Sequence, residues 1–399
     1  MKKILTAALS LALAVTSLTA CGNNAANNEA DGDVIKIGVF EPTTGENGGG
    51  GVQEVLGARY ANSIRSTAKV GDKEYKIQLV EVDNQSDKSA AVTAAQSLVS
   101  SGVKVVLGSY GSGVSIAAGS TFKDAKIPAI GCSCTNPQVT AGNDYYFRVC
   151  FLDPFQGTVM ANYAEKTYGA KTAAVISQNG DDYSTGLANY FKAAYTGELV
   201  YEGTYNTNES DFNAILTAAK AKNPEVIFCP SSIATAGLVI KQARELGITC
   251  PIMAGDTWEN ETIITNAGAE NCEGVTFSTF FDENDPTASD FVTGFKAYLN
   301  SDAKNITLNG GSDGVAAVSA LGFDAYNVAI DAIEAAGSTD TTAIRDALAA
   351  LKTNGVTGDI TFDENGDANK TMAYIKTVKD GKFKFIGTQS TDGKFNAVE

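Results

Sequence analysis

Val103-Lys104-Val105-Val106-Leu107-Gly108-Ser109-Tyr110-Gly111-Ser112-Gly113 decides the fold. Its apolar half has the length of a strand, and it gives way at Gly108 to glycine and hydroxyl residues suited to a turn and a helix start. The same unit recurs on both sides. Upstream, residues 34–40 read as a strand, and Val52, Val55, Leu56 and Tyr60 follow at helical spacing. Residues 75–82 read as the next strand, and Ala90, Ala91, Ala94, Ala95, Leu98 and Val99 mark the next helix. Residues 127–130 continue the series. Strands alternating with helices of this length predict a parallel sheet with helices on both faces.

A second series opens at Asp153-Pro154, where Asp can cap a helix and Pro suits its first turn. Its strands are read at 172–177, 199–205, 225–229 and 251–254. Between them a helix carries Phe212, Ile215, Leu216 and Ala219, with Ser210 as its expected cap. After Gly274 the pattern turns helical, at 286–300, 312–336 and 341–351. Strands at 358–362, 372–378 and 383–386 close the chain. They are joined by an Asp363-Glu364-Asn365-Gly366-Asp367 turn, read as a hairpin rather than a calcium loop because its glycine is misplaced and no Glu closes it. The expectation is an α/β protein of two doubly wound parallel-sheet lobes.

Ligands in such sheets bind beyond the carboxyl ends of the strands. Five loops fall there: Gly108 to Gly113, Gly131 to Pro137, Asp181 to Gly186, Pro230-Ser231-Ser232, and Gly255-Asp256-Thr257-Trp258. Singly, such residues are ordinary caps and turns; together, at one edge of two facing sheets, they suit a zwitterion. Gly111 and Ser112 at a helix start favour a carboxylate. Asp256, the Thr135 hydroxyl and the Ser133 carbonyl offer acceptors for an ammonium. Tyr110, Tyr183 and Trp258 can wall off the rest.

Composition removes most other chemistries. The chain has 399 residues, 30 basic and 46 acidic side chains, and no histidine. Without histidine there is no Ser-His-Asp or Cys-His pair and no His-ligated metal. Without basic clusters nucleic-acid binding is excluded. Gly108-x-x-Gly111-x-Gly113 reverses the dinucleotide spacing, so no nucleotide cofactor is expected, and no cofactor or metal of any kind. Cys132, Cys134, Cys150, Cys229, Cys250 and Cys272 read as small buried hydrophobes, with a disulfide from Cys132 or Cys134 to Cys150 as the alternative.

The N-terminus reads as an export signal over residues 1–20: Lys2 and Lys3 precede an apolar run too short to span a bilayer. Leu18-Thr19-Ala20-Cys21 resembles a lipoprotein lipobox, which implies lipidation at Cys21 and an extracytoplasmic, membrane-anchored protein. Residues 21–33 have the composition of a tether. Cleavage would leave 28 basic against 46 acidic side chains, a formal charge of −18.

The colinear loops, with Val34 to Gly45 before them and Ile240-Lys241-Gln242-Ala243-Arg244-Glu245-Leu246-Gly247 after the fourth, resemble the leucine/isoleucine/valine-binding family. These are the type I substrate-binding proteins of branched-chain amino-acid ABC transporters. The resemblance implies two lobes, 34–152 with 280–356 and 153–279 with 357–399, joined by three hinge crossings. It implies an amino-acid ligand and an ABC permease as partners. By position, Ser112 matches a carboxylate-binding serine, Ser133 and Thr135 a pair touching both charged ends, Asp256 the acceptor of the ammonium, and Tyr183 a tyrosine that meets the ligand on closing. Gly48-Gly49-Gly50-Gly51 and Ser232 stand where the family often has bulky aromatics, which implies a roomier pocket able to admit aromatic amino acids. Two other readings are a ligand-sensing receptor and a carboxylate-based hydrolase using Asp181, Asp182 and Asp256.

Overall fold

β1 (Val34–Glu41) is buried on both faces from Ile37 onward, as a central parallel strand must be. Its alternation sends Phe40 toward one helix layer, edge-on to Phe122 at 5.5 Å, while Ile35 and Ile37 join the opposite layer. The structure, a computed structural model, describes residues 34–398; the expected signal, Cys21, the tether and Glu399 lie outside the described residues.

The first sheet has β2 (Thr67–Val70), β3 (Lys73–Asp83), β1, β4 (Val105–Leu107), β5 (Ala129–Gly131) and β6 (Tyr146–Arg148) in that order, all parallel except β2. α1 (Gly48–Ile64), α2 (Lys88–Ser100) and α3 (Ser112–Asp124) are its crossovers. The second lobe comprises α4 (Asp153–Lys166), β7 (Thr172–Gln178), α5 (Asp182–Ala194), β8 (Glu198–Tyr205), α6 (Asn213–Lys220), β9 (Val226–Phe228), α7 (Ile233–Glu245), β10 (Ile252–Ala254), α8 (Glu261–Ala267), α9 (Ala269–Cys272) and β11 (Thr276–Thr279). Its parallel strands run in the order β8, β7, β9, β10, β11. Each sheet reverses its winding beside its first strand, between β1 and β4 and between β7 and β9. These reversals are where crevices open in such sheets.

The chain then returns to the first lobe with α10 (Ser289–Asn300), α11 (Ala303–Leu308), α12 (Ala317–Ala336) and α13 (Thr341–Ala350). α12 lies against α1 so closely that a Cβ on Gly57 would come within 2.0 Å of the Ser319 carbonyl, and one on Gly322 within 2.2 Å of the Glu54 carbonyl. β12 (Lys352–Gly355) and β13 (Gly358–Thr361) form their own hairpin. β14 (Ala373–Lys379), β15 (Lys382–Gln389) and β16 (Phe395–Ala397) extend the second sheet antiparallel from β11. The chain thus passes between the sheets three times, after β6, after β11 and after β13. The fold is α/β with two parallel-dominated lobes, as expected. No helix among the described residues is long and apolar enough to cross a membrane.

Some local expectations are corrected. β13 pairs with β12, not β14; the Asp363 to Asp367 turn is nonetheless a hairpin turn, closed by the antiparallel bridge of Phe362 with Ala368 and by the Asp363 amide donating to the Asp367 carbonyl at 3.0 Å, and it lies on the third crossing, where the Asp363 carboxylate accepts from the Asn365 and Asp367 amides at 2.8 and 3.0 Å. α6 begins at Asn213, and Ser210 does not cap it. α12 starts at Ala317, after the extended Ala316, because residues 312–315 are held as a loop: Asn309 donates to the Ser312 and Gly314 carbonyls at 2.9 and 2.8 Å, and the Val315 amide donates to Glu283 at 3.0 Å. All six described cysteines are free thiols.

Candidate functional site

The two winding reversals face each other and the lobes are closed on one another. Lys88 Nζ pairs with Asp182 at 2.8 Å, and Asn136 donates to the Asp182 carbonyl at 2.7 Å. Asn47, at the start of α1, accepts from the Ile233 amide at 3.2 Å and so satisfies the opening turn of α7 in the other lobe. Tyr110 OH reaches the Thr257 carbonyl at 3.4 Å, and Asn260 donates to Gln53 at 3.2 Å.

Of the expected residues, Tyr110, Gly111, Ser112, Ser133 and Thr135 come from the first lobe. Gly111 is the extended residue before α3, so the amides of the first turn, which have no intrahelical acceptor, open toward the cleft; Ser112 Oγ accepts from the Asn136 amide at 3.2 Å. Ser133 donates to Glu54. Thr135 is fully buried, with its hydroxyl beside the Asp153 carboxyl.

From the second lobe come Tyr183, Asp256 and Trp258. Asp256 Oδ1 accepts from Gln156 at 2.7 Å and from Tyr183 OH at 3.0 Å. Gly255 is required here, because a Cβ would fall 2.0 Å from Gln156 Oε1 and 2.5 Å from Tyr183 OH. Trp258 is buried and donates to Ser231 Oγ at 3.1 Å. Ser232 uses its hydroxyl to cap α7, accepting from Thr235 at 3.3 Å. Asp181 likewise caps α5, accepting from the Ser184 amide at 2.6 Å.

The glycine run does not leave a void. A Cβ on Gly50 would lie 2.2 Å from Tyr110 Cε2, so the Tyr110 ring fills the space that a side chain at position 50 would take. The extra room expected from the four glycines is therefore already occupied. A cavity of about 810 Å³ lies elsewhere, bounded by Cys150, Phe151, Phe280, Thr357, Lys370 and Tyr374 of the three crossings and their neighbours.

Sequence reasoning missed the acidic interior. Glu41, the last residue of β1, accepts from the Tyr110 amide at 2.7 Å and is 1% exposed; Glu54, on α1, is equally buried. Carboxyl oxygens of both and the Cys132 sulfur lie within 4.8 Å of one another. That grouping is small enough for a cation, but burial and the neighbouring carboxyls hold the thiol strongly protonated. Burial, then the charge of Glu54, raises Glu41 well above the carboxylate range; burial pushes Glu54 up to about 7, against hydrogen bonds from Glu41, Ser133 and Cys132. Two carboxyls this close retain a proton between them. Burial also pushes Asp153 up to about 7 and, with the charge of Asp153, lifts Asp256 well above its ordinary value. The available signal was an acid ending an apolar strand and another interrupting the apolar face of α1.

Comparison with known proteins gives this geometry a family. Residues 34–382 match the periplasmic binding protein family. Leu/Ile/Val-binding protein homolog 3 of Brucella melitensis is 30% identical over 358 residues, 87% of this chain and 92% of that protein. The solved leucine binding protein LivK of Thermotoga maritima has a TM-score of 0.82 at 34% identity, covering 90% of this chain and 99% of its own. The branched-chain amino acid transporter substrate binding protein LivJ of Streptococcus pneumoniae, in complex with isoleucine, gives 0.80 at 30% identity over the same shares. The chain belongs to the periplasmic binding protein family, among the Leu/Ile/Val-binding protein homologues.

Proposed function

We propose that this protein captures a free amino acid between its lobes and delivers it to an ABC permease. The observation that carries this reading is the pairing, across one closed cleft, of a helix N-terminus bearing Ser112 with a buried, doubly hydrogen-bonded Asp256. The first favours a carboxylate and the second an ammonium. Ser133 and Thr135 border the same ligand, and Tyr183 and Trp258 close over it from the second lobe. Tyr110 supplies the aromatic wall over the glycine run. Capture needs only a ligand that binds the closed state better than the open one. No bond is made or broken, in keeping with the binding-protein family. The hydrolase reading loses two of its three acids, since Asp181 caps a helix and Asp182 is paired with Lys88.

The test is a thermal-shift panel of free amino acids on residues 23–399. Ligand binding must raise the melting temperature, and a shift lost in Asp256→Ala supports the clamp. No shift with any amino acid overturns it. We further propose acylation at Cys21 as the membrane anchor. Cys21→Ser should move the protein from the membrane fraction to the soluble one, and an unchanged distribution would contradict the anchor.

A further inference from the structure

The cavity of about 810 Å³ at the three crossings takes no part in the clamp, and its size is that of a small-molecule pocket. Part of its lining is apolar. Phe151 of the first crossing and Phe280 of the second lie with ring centroids 4.3 Å apart, and Met372 ends the third crossing beside them. Met372 is 53% exposed, so apolar surface at this cavity is left in water that an occupant of matching character would cover. The rest of the lining is polar. The β12–β13 hairpin pairs Lys352 with Thr361 and Asn354 with Asp359, so these four side chains share one face, and all four border the cavity.

The charges in the lining are unequally answered. Lys370 donates to the Thr357 carbonyl and hydroxyl at 2.8 and 3.2 Å, that hydroxyl donates to Asp324 at 2.6 Å, and the charges of Asp324 and Asp359 both act on Lys370. The Lys352 ammonium has no hydrogen-bond or ion-pair partner among the described residues. An unpaired cation beside an aromatic and thioether wall, in a chain of formal charge −16, suits an anion with an apolar body. We propose that this cavity is a second ligand site and that its occupant is a small amphipathic monocarboxylate, its body against Phe151, Phe280 and Met372 and its carboxylate on Lys352. The same three crossings must turn when the lobes part, so an occupant fitted to the closed arrangement favours closure. On the foregoing reading of the cleft, it tightens amino-acid binding, and the amino acid tightens the occupant by the same factor.

The probe is 4-phenylbutyrate, titrated into residues 23–399 beside 4-phenylbutylamine and 4-phenylbutyramide, which keep the body and change the head. Calorimetry reads affinity. Carbon-13 at the methionine methyls reads location, because Met372 borders the cavity while Met253 lies on β10, three residues before Asp256. The acid should shift the Met372 methyl saturably and bind at least about tenfold tighter than the amide or the amine. Lys352→Glu and Met372→Asp should each weaken it about tenfold or more, and both positions are exposed, so neither change threatens the fold. An amino acid identified by the thermal-shift panel should strengthen the acid's binding about fivefold or more. Displacement of the acid by that amino acid, equal binding of all three probes, indifference to both substitutions, or no binding at all overturns the hinge site. Simultaneous binding without mutual strengthening overturns the coupling and keeps the site. Should no amino acid bind, the cleft reading falls, and Met372 and the two variants still decide the hinge site.

Discussion

Gly50 and Tyr110 share one place in the cleft, and only one of them can have a side chain there. Gly50→Ala puts a methyl 2.2 Å from the Tyr110 ring, so the ring must leave or the helix must shift. Overpacking of this kind costs about 1–3 kcal/mol. Chemical denaturation should show that loss in Gly50→Ala, and most of it should return in the double variant Gly50→Ala/Tyr110→Ala. If the two losses simply add, the residues are not in competition. The glycines were legible in the sequence as missing bulk. What fills them was not, because Tyr110 arrives from a loop 60 positions away and only the β1–β4 reversal brings the two together. Ser112, Ser133, Thr135, Tyr183 and Asp256 were legible because they follow strand ends in order. Glu41 and Glu54 were not, since a lone acid in an amphipathic run reads as a solvated face until burial is known.

At the scale of elements, β14 is held to the second lobe by a buried ion group as well as by its ladder to β11. Lys376 Nζ meets Glu259 at 2.5 Å and Asp282 at 3.1 Å, all three side chains being nearly inaccessible. The two carboxylates come from the turn after β10 and from the second crossing, so one ammonium ties three segments. Lys376→Met should cost about 3–5 kcal/mol by leaving buried carboxylates unpaired. The denaturation midpoint reads this, and a loss under about 1 kcal/mol would mean that water reaches the group. Arg148 plays a matching part at the first crossing: fully buried, it bonds Asp367 at 2.5 Å and the carbonyls of Cys134 and Asn136 at 2.7 Å each. Neither staple was visible in the sequence, and neither were β6 and β11. Thr276-Phe277-Ser278-Thr279 is three-quarters polar, and it becomes a strand because β10 and β14 flank it.

For the whole molecule the event to measure is closure. Asn47 satisfies the opening amide of α7 only when the lobes meet. Asn47→Ala should therefore weaken ligand binding roughly 2- to 30-fold, the range of a lost helix cap, and leave the melting temperature of the ligand-free open protein unchanged. Titration calorimetry and a melt together decide it; equal losses in both would make Asn47 a residue of one lobe's stability. The two-lobe architecture was the most legible level of all, since repeated strand–helix units report it many times over. The partner of β13 was the least, since four-residue strands with two candidate neighbours give no periodic signal.

The discontinuity of the lobes also sets an order of events during synthesis. All strands of the first sheet are made by residue 148, yet the α1 face of that sheet stays bare until α12 ends at Ala336. The edge of β11 likewise has no neighbour until β14 begins at Ala373. Neither lobe can reach its final packing from the amino-terminal two-thirds of the chain, so a nascent or translocating polypeptide stays pliable until almost its last residue has emerged, and then both halves mature together.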